Sequence, residues 1–174
     1  WWRYEDGNYP TSTQLRIDGA IYRFNARGYM VTGWVYEDGQ WYYYGASGGQ
    51  SAGWVRVHGT WYYLDPLTGA MASGWTKVQG TWYYLSSSGA MRTGWVRDGS
   101  AWYYLTSSGA LATGWQRVGS SWYYLSPDGG AMATGWLRDG DAWYYLTSSG
   151  AMATGSRWID GTRYAFDGEG RLMP

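Results

Sequence analysis

The chain contains no cysteine, which removes disulfide frameworks and thiolate metal sites. Phenylalanine occurs only at Phe24 and Phe166, and the aliphatic residues that fill ordinary cores are scarce. His58 is the single histidine, and no Ser/His/Asp set or persuasive carboxylate pair accompanies it, so no catalytic role is expected. Thirteen basic residues balance thirteen acidic ones without clustering, which removes the electrostatic footprint of a nucleic-acid binder. No apolar run is long enough to span a bilayer, so no transmembrane segment is expected, and no signal sequence is visible. The chain begins at Trp1 rather than Met, which reads as a processed product or an excised fragment. Neither a cofactor nor a metal is implied.

Aromatic residues fill the place of the missing aliphatics. Of 174 residues, 15 are Trp and 19 are Tyr, side chains that join an apolar body to a polar tip and suit half-exposed clefts. Their spacing is regular. Trp34, Trp54, Trp75, Trp95, Trp115 and Trp136 each follow a glycine. Seven residues later Trp41, Trp61, Trp82, Trp102, Trp122 and Trp143 each open a Trp-Tyr-Tyr. Copies start 20 or 21 residues apart, the signature of a repeat architecture.

Each copy reads as a β-hairpin and a loop. From Gly74 to Leu85, aromatic and β-branched residues flank a two-residue turn ending in Gly80. Asp38-Gly39, Asp98-Gly99 and Asp139-Gly140 are expected to fill the same turn, and His58 is read as a turn residue. Strand alternation puts Trp82 and Tyr84 on one face, Tyr83 and Leu85 on the other. The loop Ser86–Gly89 and the pair Ala90-Met91 lead to the next Gly-Trp.

A lone hairpin is marginal in water, so the copies are expected to stack into an all-β, quasi-one-dimensional solenoid. Residues 1–174 read as a single repeat array: degenerate capping hairpins over 1–32, six regular repeats over 33–155 and a degenerate cap over 156–174. Trp2 to Tyr9 imitates the Trp34–Trp41 hairpin. Ile21-Tyr22-Arg23-Phe24 and Arg163-Tyr164-Ala165-Phe166 are worn copies of Trp-Tyr-Tyr-Leu.

The pattern Gly-Trp, Gly-x-Trp-Tyr-Tyr-Leu, Gly-Ala-Met-x-Thr-Gly-Trp resembles the choline-binding repeats of Gram-positive surface proteins and cell-wall lytic enzymes. The resemblance covers nearly the whole chain and is strongest from Gly33 to Gly155. It implies a left-handed β-solenoid of stacked hairpins. Choline would sit between consecutive hairpins, boxed by two tryptophans of one repeat and a tyrosine of the next, often beside a methionine. The implied partner is choline or phosphocholine of teichoic and lipoteichoic acids, on a secreted protein held at the bacterial cell wall, with homodimers through terminal repeats. Glucan-binding and clostridial-toxin repeats share the scaffold but usually lack the tryptophan that opens Trp-Tyr-Tyr. All six copies here carry it, which favours the choline branch.

Same-face parity with the tryptophans selects the tyrosines, and the family pattern carries over residue by residue. The first cage is Trp34 and Trp41 with Tyr63; the second is Trp54 and Trp61 with Tyr84, beside Met71. The third is Trp75 and Trp82 with Tyr104, beside Met91. Trp95 and Trp102 with Tyr124, beside Leu111, make the fourth; Trp115 and Trp122 with Tyr145, beside Met132, the fifth. Gln50 stands where the first cage expects its methionine, which predicts a weaker site. Ala165 stands where a sixth cage, at Trp136 and Trp143, would need its tyrosine.

Chemistry points the same way. A quaternary ammonium has no N–H to donate, and ring faces offer it negative potential and apolar contact together. Each such contact contributes roughly 0.5–2 kcal/mol, so one three-ring cage should bind at about millimolar strength. Several cages facing a polymer could gain about 10²-fold or more through avidity.

Other readings stay open. A sugar would also stack on tryptophan, which keeps a glucan- or wall-glycan-binding module in play, as does a structural stalk with vestigial cages. Tyr62, Tyr83, Tyr103, Tyr123 and Tyr144 read as core. Met71, Met91, Met132 and Met152 divide evenly between spacer and cage wall. Arg56, Lys77, Arg97, Arg117 and Arg138 form either a solvated face or contacts to the phosphate of phosphocholine.

Overall fold

The computed structural model describes residues 6–174, so the first half of the Trp2–Tyr9 imitation hairpin lies outside the described residues. Among them there is no helix, and sixteen five-residue strands pair into eight two-stranded sheets. The chain divides into two compact units, Trp1–Thr76 with Tyr84–Met91 and Lys77–Tyr83 with Arg92–Pro174.

The first unit contains three complete hairpins. They are β1 (Thr13–Ile17) with β2 (Ala20–Phe24), β3 (Gly33–Glu37) with β4 (Gln40–Tyr44), and β5 (Gly53–Val57) with β6 (Thr60–Leu64). Residues of β7 (Gly74–Val78) and β8 (Thr81–Leu85) are shared between the units. The second unit contains β9 (Gly94–Asp98) with β10 (Ala101–Leu105) and β11 (Gly114–Val118) with β12 (Ser121–Leu125). It ends with β13 (Gly135–Asp139) paired to β14 (Ala142–Leu146) and β15 (Gly155–Ile159) paired to β16 (Thr162–Phe166).

Two turn chemistries join the strands, where the repeat suggests one. Gln79-Gly80 has positive φ at both positions, +48° and +86°, the pattern of a type I′ turn; Asp38-Gly39 and His58-Gly59 share it. In β9–β10, β11–β12 and β13–β14 the glycine comes one residue earlier. Gly99, Gly119 and Gly140 alone have positive φ there, as a type II′ turn requires. Asp98 and Asp139 are therefore the last residues of their strands, not turn residues. The shift is visible as a glycine four rather than five residues after the repeat's first tryptophan.

Within each unit, the segment after one hairpin zips it to the hairpin before. In the first unit the Ala72 N–H donates to the Tyr63 carbonyl of its own repeat, and the Met71 N–H donates to Trp41 of the preceding one, at 2.8 and 2.7 Å. In the second unit Ala133 and Met132 do the same to Tyr124 and Trp102, both at 2.8 Å. Backbone groups that a two-stranded sheet leaves unpaired thus find partners in the next repeat. This is the β-solenoid of stacked hairpins that the period predicts.

The core is a thin spine made by the residue that ends each Trp-Tyr-Tyr-x. Leu64, Leu85, Leu105, Leu125 and Leu146 are 0% exposed, and Tyr44, Phe24 and Phe166 occupy the same position in their hairpins. Burying Tyr44 raises its hydroxyl pKa, and Gln14 Nε2 supplies it a hydrogen bond at 3.0 Å.

Loop glycines hold the repeat distance. At Gly130 (φ +77°) an added Cβ would stand 2.8 Å from both Leu111 methyl carbons, whereas at Gly129 (φ +103°) it meets nothing within 4 Å. Both alanine substitutions strain the backbone, but only Gly130→Ala also drives a side chain into the neighbouring repeat. Gly130→Ala is expected to lower stability by about 1–3 kcal/mol more than Gly129→Ala, read as the difference in urea midpoints.

A repeated aromatic cage as candidate functional site

Hairpin register decides which rings share a face. Trp54 lies opposite Tyr63 and Arg56 opposite Trp61, so these four project from one face, and Val55, Tyr62 and Leu64 from the other. Within a unit, successive hairpins present their faces in the same sense. The tryptophan face of one is therefore met by the opposite face of the next.

The observed contacts follow that rule. Trp34 meets Tyr62 with ring centroids 4.8 Å apart, and Trp95–Tyr123, Trp115–Tyr144 and Trp136–Tyr164 repeat the 4.8 Å spacing. Trp34 and Trp41 stand at 87° with centroids 6.4 Å apart. Trp54–Trp61, Trp95–Trp102 and Trp136–Trp143 are also nearly perpendicular, at 88°, 86° and 84°. Two indoles at right angles and a phenol make three walls of a box. Trp34, Trp41, Tyr62, Met71 and Ser88 enclose a cavity of about 290 Å³. Trp115, Trp122, Tyr144, Met152, Gly168 and Glu169 enclose one of about 450 Å³. The second tryptophan of each pair keeps 41–44% of its surface exposed, so each box opens to solvent.

Three sequence expectations change here. Tyr63, Tyr84, Tyr104, Tyr124 and Tyr145 are not the closing walls. They pack on Trp54, Trp75, Trp95, Trp115 and Trp136 of their own hairpins, with centroids 5.0–5.2 Å apart. Same-face parity selects a hairpin's own partners, whereas a stack of like-oriented hairpins needs the opposite parity. Tyr62, Tyr123 and Tyr144, read as core, are the walls instead.

The spacers also move by one repeat. Met71 serves Trp34 and Trp41, because its N–H is tied to the Trp41 carbonyl. Met91 is tied likewise to Trp61, Leu111 to Trp82, Met132 to Trp102 and Met152 to Trp122. Gln50 bonds to Ile21 and takes no part in the first cage, which has its methionine after all. Finally, Trp136 and Trp143 form a sixth box. Tyr164 closes it and Leu172 is tied to Trp143, so Ala165 is beside the point.

The hairpins at either end of the series carry no such box. On β1 and β2, Gln14 and Arg23 hold the places of the first tryptophan and third aromatic, and Arg23 forms an ion pair with Glu37. On β15 and β16, Ser156 and Arg163 replace the tryptophans and hydrogen-bond to each other at 3.2 Å.

Apart from Glu169, which lines the Trp115–Trp122 cavity, charge lies around the boxes rather than inside them. Arg56, Arg97, Arg117 and Arg138 are cross-strand neighbours of Trp61, Trp102, Trp122 and Trp143, and Lys77 Nζ sits 5.7 Å over the Trp82 ring. In the last loop the Arg171 backbone N–H, then its guanidinium, hold the Asp167 carboxyl below the usual carboxylate range. No three His, Cys, Asp or Glu side chains converge on a metal site among the described residues.

Comparison with known proteins accounts for the whole pattern. A family model described as a choline-binding repeat matches residues 11–52, 38–74, 72–113, 92–134, 112–154 and 133–173. CbpJ from Streptococcus pneumoniae TIGR4 is 45% identical, with a TM-score of 0.86 over 88% of this chain and 56% of that one. Choline binding protein F from Streptococcus pneumoniae, crystallised with a peptidoglycan analogue, is 39% identical at a TM-score of 0.85, over 94% of this chain and 58% of that one. The choline-binding domain of CbpL from the same species is 38% identical at 0.71, over 94% of this chain and 87% of that domain. No curated protein matches the chain. The chain spans little more than half the length of CbpJ and choline binding protein F. With matches tiling residues 11–173 and such relatives, the chain belongs to the choline-binding repeat family.

Proposed function

We propose that this chain is a non-catalytic module that binds choline, presented as phosphocholine on teichoic and lipoteichoic acids, and anchors a protein to the bacterial cell envelope. One observation carries the reading. The box formed by Trp34, Trp41, Tyr62 and Met71 has three ring walls and a thioether, with Ser88 as its only non-aromatic polar residue and no charged one. A methylated cation needs ring faces and apolar contact and no hydrogen-bond acceptor. A sugar would find no carboxylate, amide or guanidinium there for its hydroxyls. The basic side chains beside Trp61, Trp102, Trp122 and Trp143 suit the phosphate that follows the choline. Secretion to the cell surface, and pairing of two copies through the terminal repeats, belong to the same proposal.

Titration of intrinsic tryptophan fluorescence tests it. Choline is expected to quench saturably at millimolar concentration, and glucan oligosaccharides are expected to do nothing. A ligand that binds only the folded chain must also stabilise it, by about 2.7 kcal/mol per site at a hundred times Kd. The melting temperature should therefore climb with choline. A flat melting temperature would favour a stalk with unused cages, and quenching by sugars alone would favour a glycan-binding module.

A further inference from the structure

The cages are not chemically equal. The early glycine of the β13–β14 turn leaves Asp139 as the last residue of β13, and its Oδ2 accepts the indole N–H of Trp115 at 2.9 Å. The corresponding residues of the following hairpins are Val57 for Trp34, Val118 for Trp95 and Ile159 for Trp136, none of which has a side-chain acceptor, whereas Asp98 holds the same place in the sequence after Trp75. A second difference lies across the same cavity. Met132 fits against Gly150 and Met152 against Gly170, so Glu169 occupies the loop place that Ser149 holds one repeat earlier. Glu169 lines the cavity with Trp115, Trp122, Tyr144 and Met152, as Ser88 lines the first one.

Neighbouring cations do not cancel this charge. Arg171 Nη2 is 2.6 Å from Glu169 Oε2, and its Nε is 2.9 Å from Asp167 Oδ2, so the loop balances two carboxylates against one guanidinium. Asp139 adds a further negative charge behind the indole. Arg117 lies cross-strand from Trp122, but Arg97 and Arg138 hold the same place beside Trp102 and Trp143, so it does not set this cage apart.

A carboxylate that accepts the indole N–H pushes electron density into the ring and deepens the negative potential of its face. A carboxylate at the mouth attracts a cation directly, at a range short enough for the attraction to survive solvent screening. Neither effect acts on an uncharged ligand of the same shape.

We propose that the Trp115–Trp122–Tyr144 cage is a charge-reinforced site, in which Asp139 and Glu169 select a cationic headgroup over its neutral isostere and make this cage fill before the Trp95–Trp102 cage. The inference rests on the choline reading above and deepens it. It treats the array as graded, with this site engaging before its Trp95–Trp102 neighbour and the tethered polymer recruiting weaker sites.

Fluorine NMR of the full chain labelled with 5-fluorotryptophan resolves individual cages. The titrants are choline and 3,3-dimethylbutan-1-ol, in which carbon replaces the charged nitrogen. The Trp122 signal is expected to reach half-saturation at about three- to tenfold lower choline than Trp102, while the neutral alcohol moves both at the same concentration. Asp139→Asn keeps an acceptor for the indole but removes the charge, and Glu169→Ser installs the neighbouring repeat's residue. Together they should bring the Trp122 midpoint up to that of Trp102 and leave the alcohol titration unchanged. Equal choline midpoints in the unmodified chain, or a gap that survives both substitutions, would overturn this inference alone. Silence of every tryptophan toward choline would instead overturn the choline reading, and this inference with it.

Discussion

A chain in which Trp41, Trp61, Trp82, Trp102, Trp122 and Trp143 are all leucine is expected to pass through a choline-bearing matrix unretained and to remain folded. The two halves of that expectation have separate grounds. Each of these indoles is 41–44% exposed, so leucine can keep most of the contact each makes with the fold. The boxes of Trp34–Trp41, Trp54–Trp61, Trp95–Trp102 and Trp136–Trp143, however, each lose one of two perpendicular walls. Removing a cation–π contact of roughly 0.5–2 kcal/mol weakens each site about 2- to 30-fold. On a multivalent surface those losses compound, so apparent affinity should fall by more than about 10²-fold. Retention on the matrix reads the binding, and a cooperative urea transition reads the fold. Undiminished retention would show that the boxes are not where choline binds.

The other large effect concerns the spine. Leu125→Ala is expected to lower stability by about 2–5 kcal/mol, the range for emptying a fully buried leucine position. Leu125 is 0% exposed, lies opposite Gly114 in its hairpin and bridges to Met132 in the next segment. A spine with so few buried aliphatic neighbours has little to relax into the hole. Because repeats are coupled mainly to nearest neighbours, the damage should also loosen the Trp102 cage, whose spacer is that same Met132. Leu67→Ala is the control: at 95% exposure it should change stability by less than about 0.5 kcal/mol. The urea midpoints of the two variants check the contrast. Saturating choline should restore part of what Leu125→Ala loses.

Much of this architecture is legible in the residues. The seven-residue gap between paired tryptophans gives the hairpin, and the 20- or 21-residue period gives the stack, because both are covalent spacings that folding preserves. The closing tyrosine is harder. Parity along one strand says which side chains share a face, but not which face meets which neighbour. That depends on the screw operation between repeats, which no single hairpin encodes. Tyr63 and Tyr62 lie on opposite faces of one strand, and translation of like hairpins puts the face of Tyr62 against the preceding tryptophans. The place of Met71 is hidden for a related reason: its bond reaches back past its own hairpin, and past Trp61, to Trp41. The Asp139 contact with Trp115 had a sequence signal, the one-residue shift of Gly140, which a reading of all copies as alike averages away.

The first cage draws Trp34 and Trp41 from one hairpin, Tyr62 and Met71 from the next repeat, and Ser88 from the loop after β8. On a ribosome, where residues emerge in order, Trp34 and Trp41 wait half-built until Ser88 has left the exit tunnel. Pockets then mature in the direction of translation, the Trp34 and Trp115 boxes each trailing their own indoles by two further hairpins.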